Sequence, residues 1–110
     1  MGNVYTTLFL RAQISGTVES VSGPVPAGSV WVVRDISATN LNFAWWQNAG
    51  LLEVFDDSTT HLWVPEAPTL GARTYQYEGR QVLGAGNHLH VRPENPGWDV
   101  FISGYELALP

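Results

Sequence analysis

Residues 25–40, Val-Pro-Ala-Gly-Ser-Val-Trp-Val-Val-Arg-Asp-Ile-Ser-Ala-Thr-Asn, decide the fold class. Pro26 fixes its own φ and Gly28 tolerates positive φ, so together they mark a tight turn. The residues that follow are dense in β-branched and aromatic side chains, which suit a pleated, buried strand, expected over 29–37. The arrangement returns near the C-terminus. Ala85-Gly86, a gap of five residues and Arg92 repeat the spacing of Ala27-Gly28 and Arg34. Two halves of one β-sandwich would each use such a turn-and-strand unit, which makes the chain read as packed scaffold rather than catalytic machinery.

Working outward, residues 4–14 read as a first strand and 17–21 as a short second one. Residues 40–47 continue in β character, with Phe43 and Trp45 on one face and Ala44 and Trp46 on the other. Asn48-Ala49-Gly50 supplies a three-residue hairpin loop with Gly at the left-handed position, and 51–55 returns. Asp56-Asp57-Ser58 is a second turn before a strand at 60–64. Pro65 to Gly71 has two prolines and no period, so it is a loop. Residues 73–77 alternate, placing Tyr75 and Tyr77 on one face. Strands follow at 87–92 and 98–107, separated by the turn 93–97. No segment carries a 3.6-residue period, and turn signals recur every 8–12 residues or so. The expected fold is all-β: a single antiparallel sandwich of jelly-roll type over residues 1–110, with 1–10 a docking arm or the first strand.

Composition agrees. A chain of 110 residues buries roughly two thirds of its extended-chain surface on folding. Five Trp, four Tyr and four Phe supply the apolar area, while eleven Gly and seven Pro supply turns. There is no Cys, so packing rather than disulfides must hold the fold. The net charge is −5 and every cation is Arg. Such a surface repels phosphate, which argues against nucleic acid as a partner. No apolar run approaches the ~20 residues that span a bilayer, and the N-terminal residues lack a signal-peptide pattern.

Few residues hint at chemistry. His88 and His90, at i and i+2 on an expected strand, project from one face, and Glu94 would complete a metal site. The set is similar to the first metal motif of cupins, but a second motif with a further His does not follow it. A solvated strand face is the preferred reading, with no cofactor expected. His61, beside Trp63, reads as a polar neighbour rather than a general base. No Gly-x-Ser-x-Gly elbow is present, and no catalytic residue is expected. Arg34 and Asp35, as neighbours in an alternating strand, should point to opposite faces. The aromatic set Trp45, Trp46, Trp63, Tyr75 and Tyr77 would serve as a sugar-stacking platform or a subunit interface.

Val25-Pro26-Ala27-Gly28 followed by Val30 to Ile36 resembles a turn-strand element of small virion proteins of tailed bacteriophages. Glu78 to Leu83 and Trp98 to Leu107 also resemble pieces of such proteins, particularly from phages of actinobacteria, in order over residues 20–107. The resemblance implies a non-enzymatic β-sandwich located in a virus particle: a minor tail protein, or alternatively a capsid decoration protein; the aromatic set gives a third reading, a receptor-binding carbohydrate module. The resemblance also implies self-association, with a trimer favoured by tail symmetry, and other virion proteins as partners; the third reading adds a host-surface glycan. The expected contact residues are Tyr5, Leu8, Phe9 and Leu10 of the N-terminal segment together with Trp45, Trp46 and Trp63.

Overall fold

Val30, Trp31, Val32, Val33 and Ile36 hold the backbone extended, and the strand they build runs from Ser29 to Asn40. The computed structural model describes residues 7–14, 18–40, 52–59, 74–93 and 97–109, together with the backbone of 61–63. Among the described residues all regular structure is strand: β1 (Thr7–Ile14), β2 (Ser20–Val21), β3 (Ser29–Asn40), β4 (Leu52–Phe55), β5 (His61–Trp63), β6 (Thr74–Leu83), β7 (His90–Pro93) and β8 (Trp98–Ala108). They form two four-stranded antiparallel sheets in the orders β1-β8-β3-β6 and β2-β7-β4-β5.

The pairings are nested. β1 pairs with β8, β2 with β7, β3 with β6 and β4 with β5, while β3–β8 and β4–β7 contacts complete each sheet. One long antiparallel hairpin rolled on itself gives this order, which is the jelly roll.

The core lies between the sheets. Ile14, Trp31, Val33, Ile36, Trp98, Val100 and Ile102 of the first sheet meet Leu52, Val54 and Val91 of the second, all buried. The inward and outward residues of β8 alternate from Trp98 to Gly104, as a sheet with one covered face requires. Trp98 is wholly buried and its ring lies 6.0 Å from that of Tyr75.

The two Ala-Gly turns lie against each other. Val25 N donates to Asn87 O at 2.8 Å, and Gly86 N donates to Val25 O at 2.9 Å. Gly28 and Gly86 both have positive φ, +78° and +83°, which explains why Gly recurs at these two points. One turn feeds β3 in the first sheet and the other leads to β7 in the second.

Several boundaries differ from expectation, each for a local reason. The strand expected at 73–77 continues to Leu83, because Gly79 leaves room for the Tyr77 hydroxyl where a Cβ would collide with it. The strand expected from 87 starts at His90, since the Asn87 side chain is occupied in holding a turn. Arg34 and Asp35 do not take opposite faces. Val33 pairs with Gly104 and Asp35 with Ser103, so Arg34 is an extra residue, a bulge that leaves both side chains on the outer side. Asp35 is exposed. The strand expected at 40–47, its hairpin loop 48–50 and the loop 65–71 lie outside the described residues, apart from Asn40, which ends β3.

Candidate functional site

Three segments distant in sequence meet beside the second sheet: Glu19 ahead of β2, the turn after β4, and residues 87–90 entering β7. The turn is shaped by its own side chains. Thr59 N donates to Asp56 O at 3.0 Å, and Asp56 Oδ1 accepts from Ser58 N at 3.0 Å and from Ser58 Oγ at 2.8 Å. Asn87 Oδ1 accepts from Asp57 N and from His88 N, both at 2.9 Å, tying the turn to the β7 approach.

Asp57 then holds both imidazoles. Its Oδ2 lies 2.8 Å from His88 Nδ1 and its Oδ1 lies 2.6 Å from His90 Nε2. The other nitrogen of His90, Nδ1, lies 3.2 Å from Glu19 Oε2. Ionised carboxylates only accept, so the ring of His90 must carry a proton on each nitrogen to make both bonds. Phe55 stacks on that ring at 5.0 Å, and Arg92 sits over Phe55 while pairing with Glu53 at 2.6 Å. Burial draws the His90 pKa down, but the hydrogen bonds to Asp57 and Glu19 and their charges outweigh it, and the ring titrates above its ordinary value. The hydrogen bonds from His88 and His90 hold the Asp57 carboxyl below its ordinary value. The cluster is a charged clasp between segments.

Of the residues weighed as metal ligands and set aside, two are brought together. His88 and His90 lie edge-on at 6.3 Å between ring centroids, both turned toward Asp57. Glu94 lies outside the described residues, and among the described residues no group of three or more His, Asp or Glu is placed to hold a metal ion. In the sequence Asp57 reads only as part of a turn. Nothing local marks its link to a pair of histidines about 30 positions away, since antiparallel pairing alone makes that contact.

Of the expected contact residues, Leu8 is exposed, Phe9 stacks on Trp31 at 4.4 Å, and Leu10 is packed against the core. These residues belong to β1, where Leu8 pairs with Ser103 and Leu10 with Ile102 of β8 and Phe9 falls at a register shift between them. Tyr5, Trp45 and Trp46 lie outside the described residues, as do the side chains of Trp63 and His61.

The outward face of the β1-β8-β3-β6 sheet carries features that the sequence reading missed. Val82 is 65% exposed, Leu107 41% and Phe101 38%. Val32, Val82, Tyr105 and Leu107 floor a groove of about 500 Å³, with Arg34 and Arg80 along it. The Arg34 guanidinium sits 5.7 Å from the Tyr105 ring, and its Nε is buried without an acceptor. Beside this basic row, Asp35 and Glu78 stand directly opposite each other, with Ser37 and Gln76 beyond. The signal for β6 was present, because alternation through 74–83 puts Gln76, Glu78, Arg80 and Val82 on one face.

No protein-family profile matches the chain, and no curated protein sequence does. Solved structures give matches of differing extent. The NLP core of Drosophila, described for pentamer formation and histone binding, superposes with a TM-score of 0.54 at 12% identity, covering 92% of this chain and 99% of that one. The capsid asymmetric unit of cyanophage Pam1 gives 0.48 at 13% identity, covering 99% of this chain and 86% of that one. A fucose-binding module of Streptococcus pneumoniae gives 0.42 at 9% identity, covering 86% of this chain and 67% of that one. The likeness to the first of these extends over nearly the whole of both chains and is one of fold alone.

Proposed function

We propose that this chain is a non-enzymatic structural component of a tailed-phage virion, a jelly-roll subunit of minor tail type that self-associates and docks on other virion proteins. The observation that carries the reading is the outward face of the β1-β8-β3-β6 sheet, where Val82, Phe101 and Leu107 stand exposed among outward positions that a lone sandwich would make polar. The resemblance of Val25–Ile36, Glu78–Leu83 and Trp98–Leu107 to small phage virion proteins supplies the setting. All three segments contribute to that sheet: Val30–Ile36 lies in β3, Glu78–Leu83 in β6, and Trp98–Leu107 makes up most of β8. The NLP core, similar in fold, is described for pentamer formation, which is in keeping with self-association.

The same face would serve a capsid decoration protein, and position in the particle separates that alternative from a tail site. A glycan-binding reading needs coplanar, exposed aromatics, whereas Tyr75 and Tyr77 are packed against the core. Expressed alone, the chain should elute as a multi-chain species by size exclusion with light scattering. An antibody raised against it should label purified particles of the phage that encodes it. A monomer absent from purified particles would end this reading.

A further inference from the structure

The charges on the outward face are arranged in rows rather than mixed. Asp35 and Glu78 oppose each other across the β3–β6 pair. Arg34 and Arg80 flank the same groove one step along the strands. Like charges set side by side on one face destabilise an isolated sheet. Among the described residues none of the four makes a side-chain hydrogen bond or ion pair within the chain, and Arg34 Nε is left buried with no acceptor. An acidic row adjoining a basic row is complementary to itself after a half-turn about an axis lying in the face and crossing the strands between the two rows.

We infer that this face binds a second copy of the chain through that two-fold, with Arg34 and Arg80 of each copy on Asp35 and Glu78 of the other. The inference rests on the self-association proposed above and names the surface and its mode. The half-turn carries the row Val82, Val32 and Tyr105 of one copy over the row Gln76, Ser37 and Phe101 of the other, so that Tyr105 meets Phe101. The apolar groove is thereby covered. Four strands about 4.8 Å apart and ten or so residues long present roughly 600 Å² per copy, on the order of 1,200 Å² for the pair, the lower end of stable interfaces. The contact is isologous and closes at two copies; a trimer needs a different, head-to-tail surface.

Charge reversal tests it. The full chain should show a two-chain mass by light scattering. Arg80→Glu alone and Glu78→Arg alone should each weaken the pair by about ten-fold or more, because every contact between positions 78 and 80 then joins like charges. The double variant should recover it. Mixing the two single variants should yield a one-to-one heterodimer. One copy then carries carboxylates at both positions and the other carries guanidinium groups at both, so each contact across that pair joins opposite signs. Val82→Asp, in the groove floor, should weaken pairing without rescue by mixing. Circular dichroism of each variant confirms folding, to which these exposed positions contribute little. A trimeric or larger species indifferent to both reversals, or a dimer indifferent to them, would overturn this inference and leave self-association standing. A monomeric wild-type chain would overturn both.

Discussion

His90 is where charge and geometry are most tightly joined. Its ring bridges Asp57 and Glu19, which belong to separate segments, and Phe55 covers one face of it. Because its folded pKa is raised, the protonated ring favours the fold. That contribution is complete below the unfolded value of 6.5 and drains away as pH climbs through the higher folded value. Asp57 has the opposite sign. Its contribution is complete above the unfolded value of 3.8 and is lost as pH falls through the lowered folded value. The clasp therefore acts fully between those two limits. Thermal unfolding followed by circular dichroism should give a higher midpoint at about pH 5.5 than at about pH 8.5, and Asp57→Asn should shrink the difference. An unchanged difference in that variant would place the pH dependence elsewhere. The His88/His90 pair was visible in the sequence, but its partner was not: Asp57 becomes relevant only when β4 lies beside β7.

At the β3–β8 crossing the two strands come closer than side chains permit. Gly104 is buried, and a Cβ there would fall on the Val32 carbonyl, with the Arg34 amide 3.0 Å away. Backbone cannot swing aside as a flexible side chain can. Gly104→Ala should destabilise the fold by at least the ~1–3 kcal/mol typical of overpacking, and it should disturb the Arg34 bulge. Gly79→Ala, facing only the movable Tyr77 ring, should cost less. Chemical denaturation of the two variants checks the order, and equal losses would contradict the assigned close approach. These glycines also show why element lengths are only partly legible in the sequence. The alternating run was read over 73–77 alone, yet β6 runs on past Gly79 through Arg80 and Val82.

Over the whole molecule, nested pairing joins the N-terminal strand β1 to the C-terminal strand β8, and β2 to β7. Such contacts close large loops before they are rewarded, so refolding should be slow, on the order of milliseconds to seconds. Stopped-flow tryptophan fluorescence measures this, with the buried Trp98 as a reporter. Microsecond refolding would be incompatible with the topology. The same roll leaves the second sheet to carry the histidine clasp and gives the first sheet an outer face formed by β1, β8, β3 and β6.

The β character of the chain, its turns at Gly28 and Gly86 and its inward-facing apolar residues were legible from composition and period, because propensity and alternation act over a few residues at a time. Strand order was not, since nothing local records which distant strand will supply a hydrogen-bonding edge. The bulge at Arg34 followed from that order, as did the opposition of Asp35 to Glu78 and the capture of two imidazoles by Asp57. Each depends on register between strands more than 30 positions apart, and register is set when the two sheets bury their shared core.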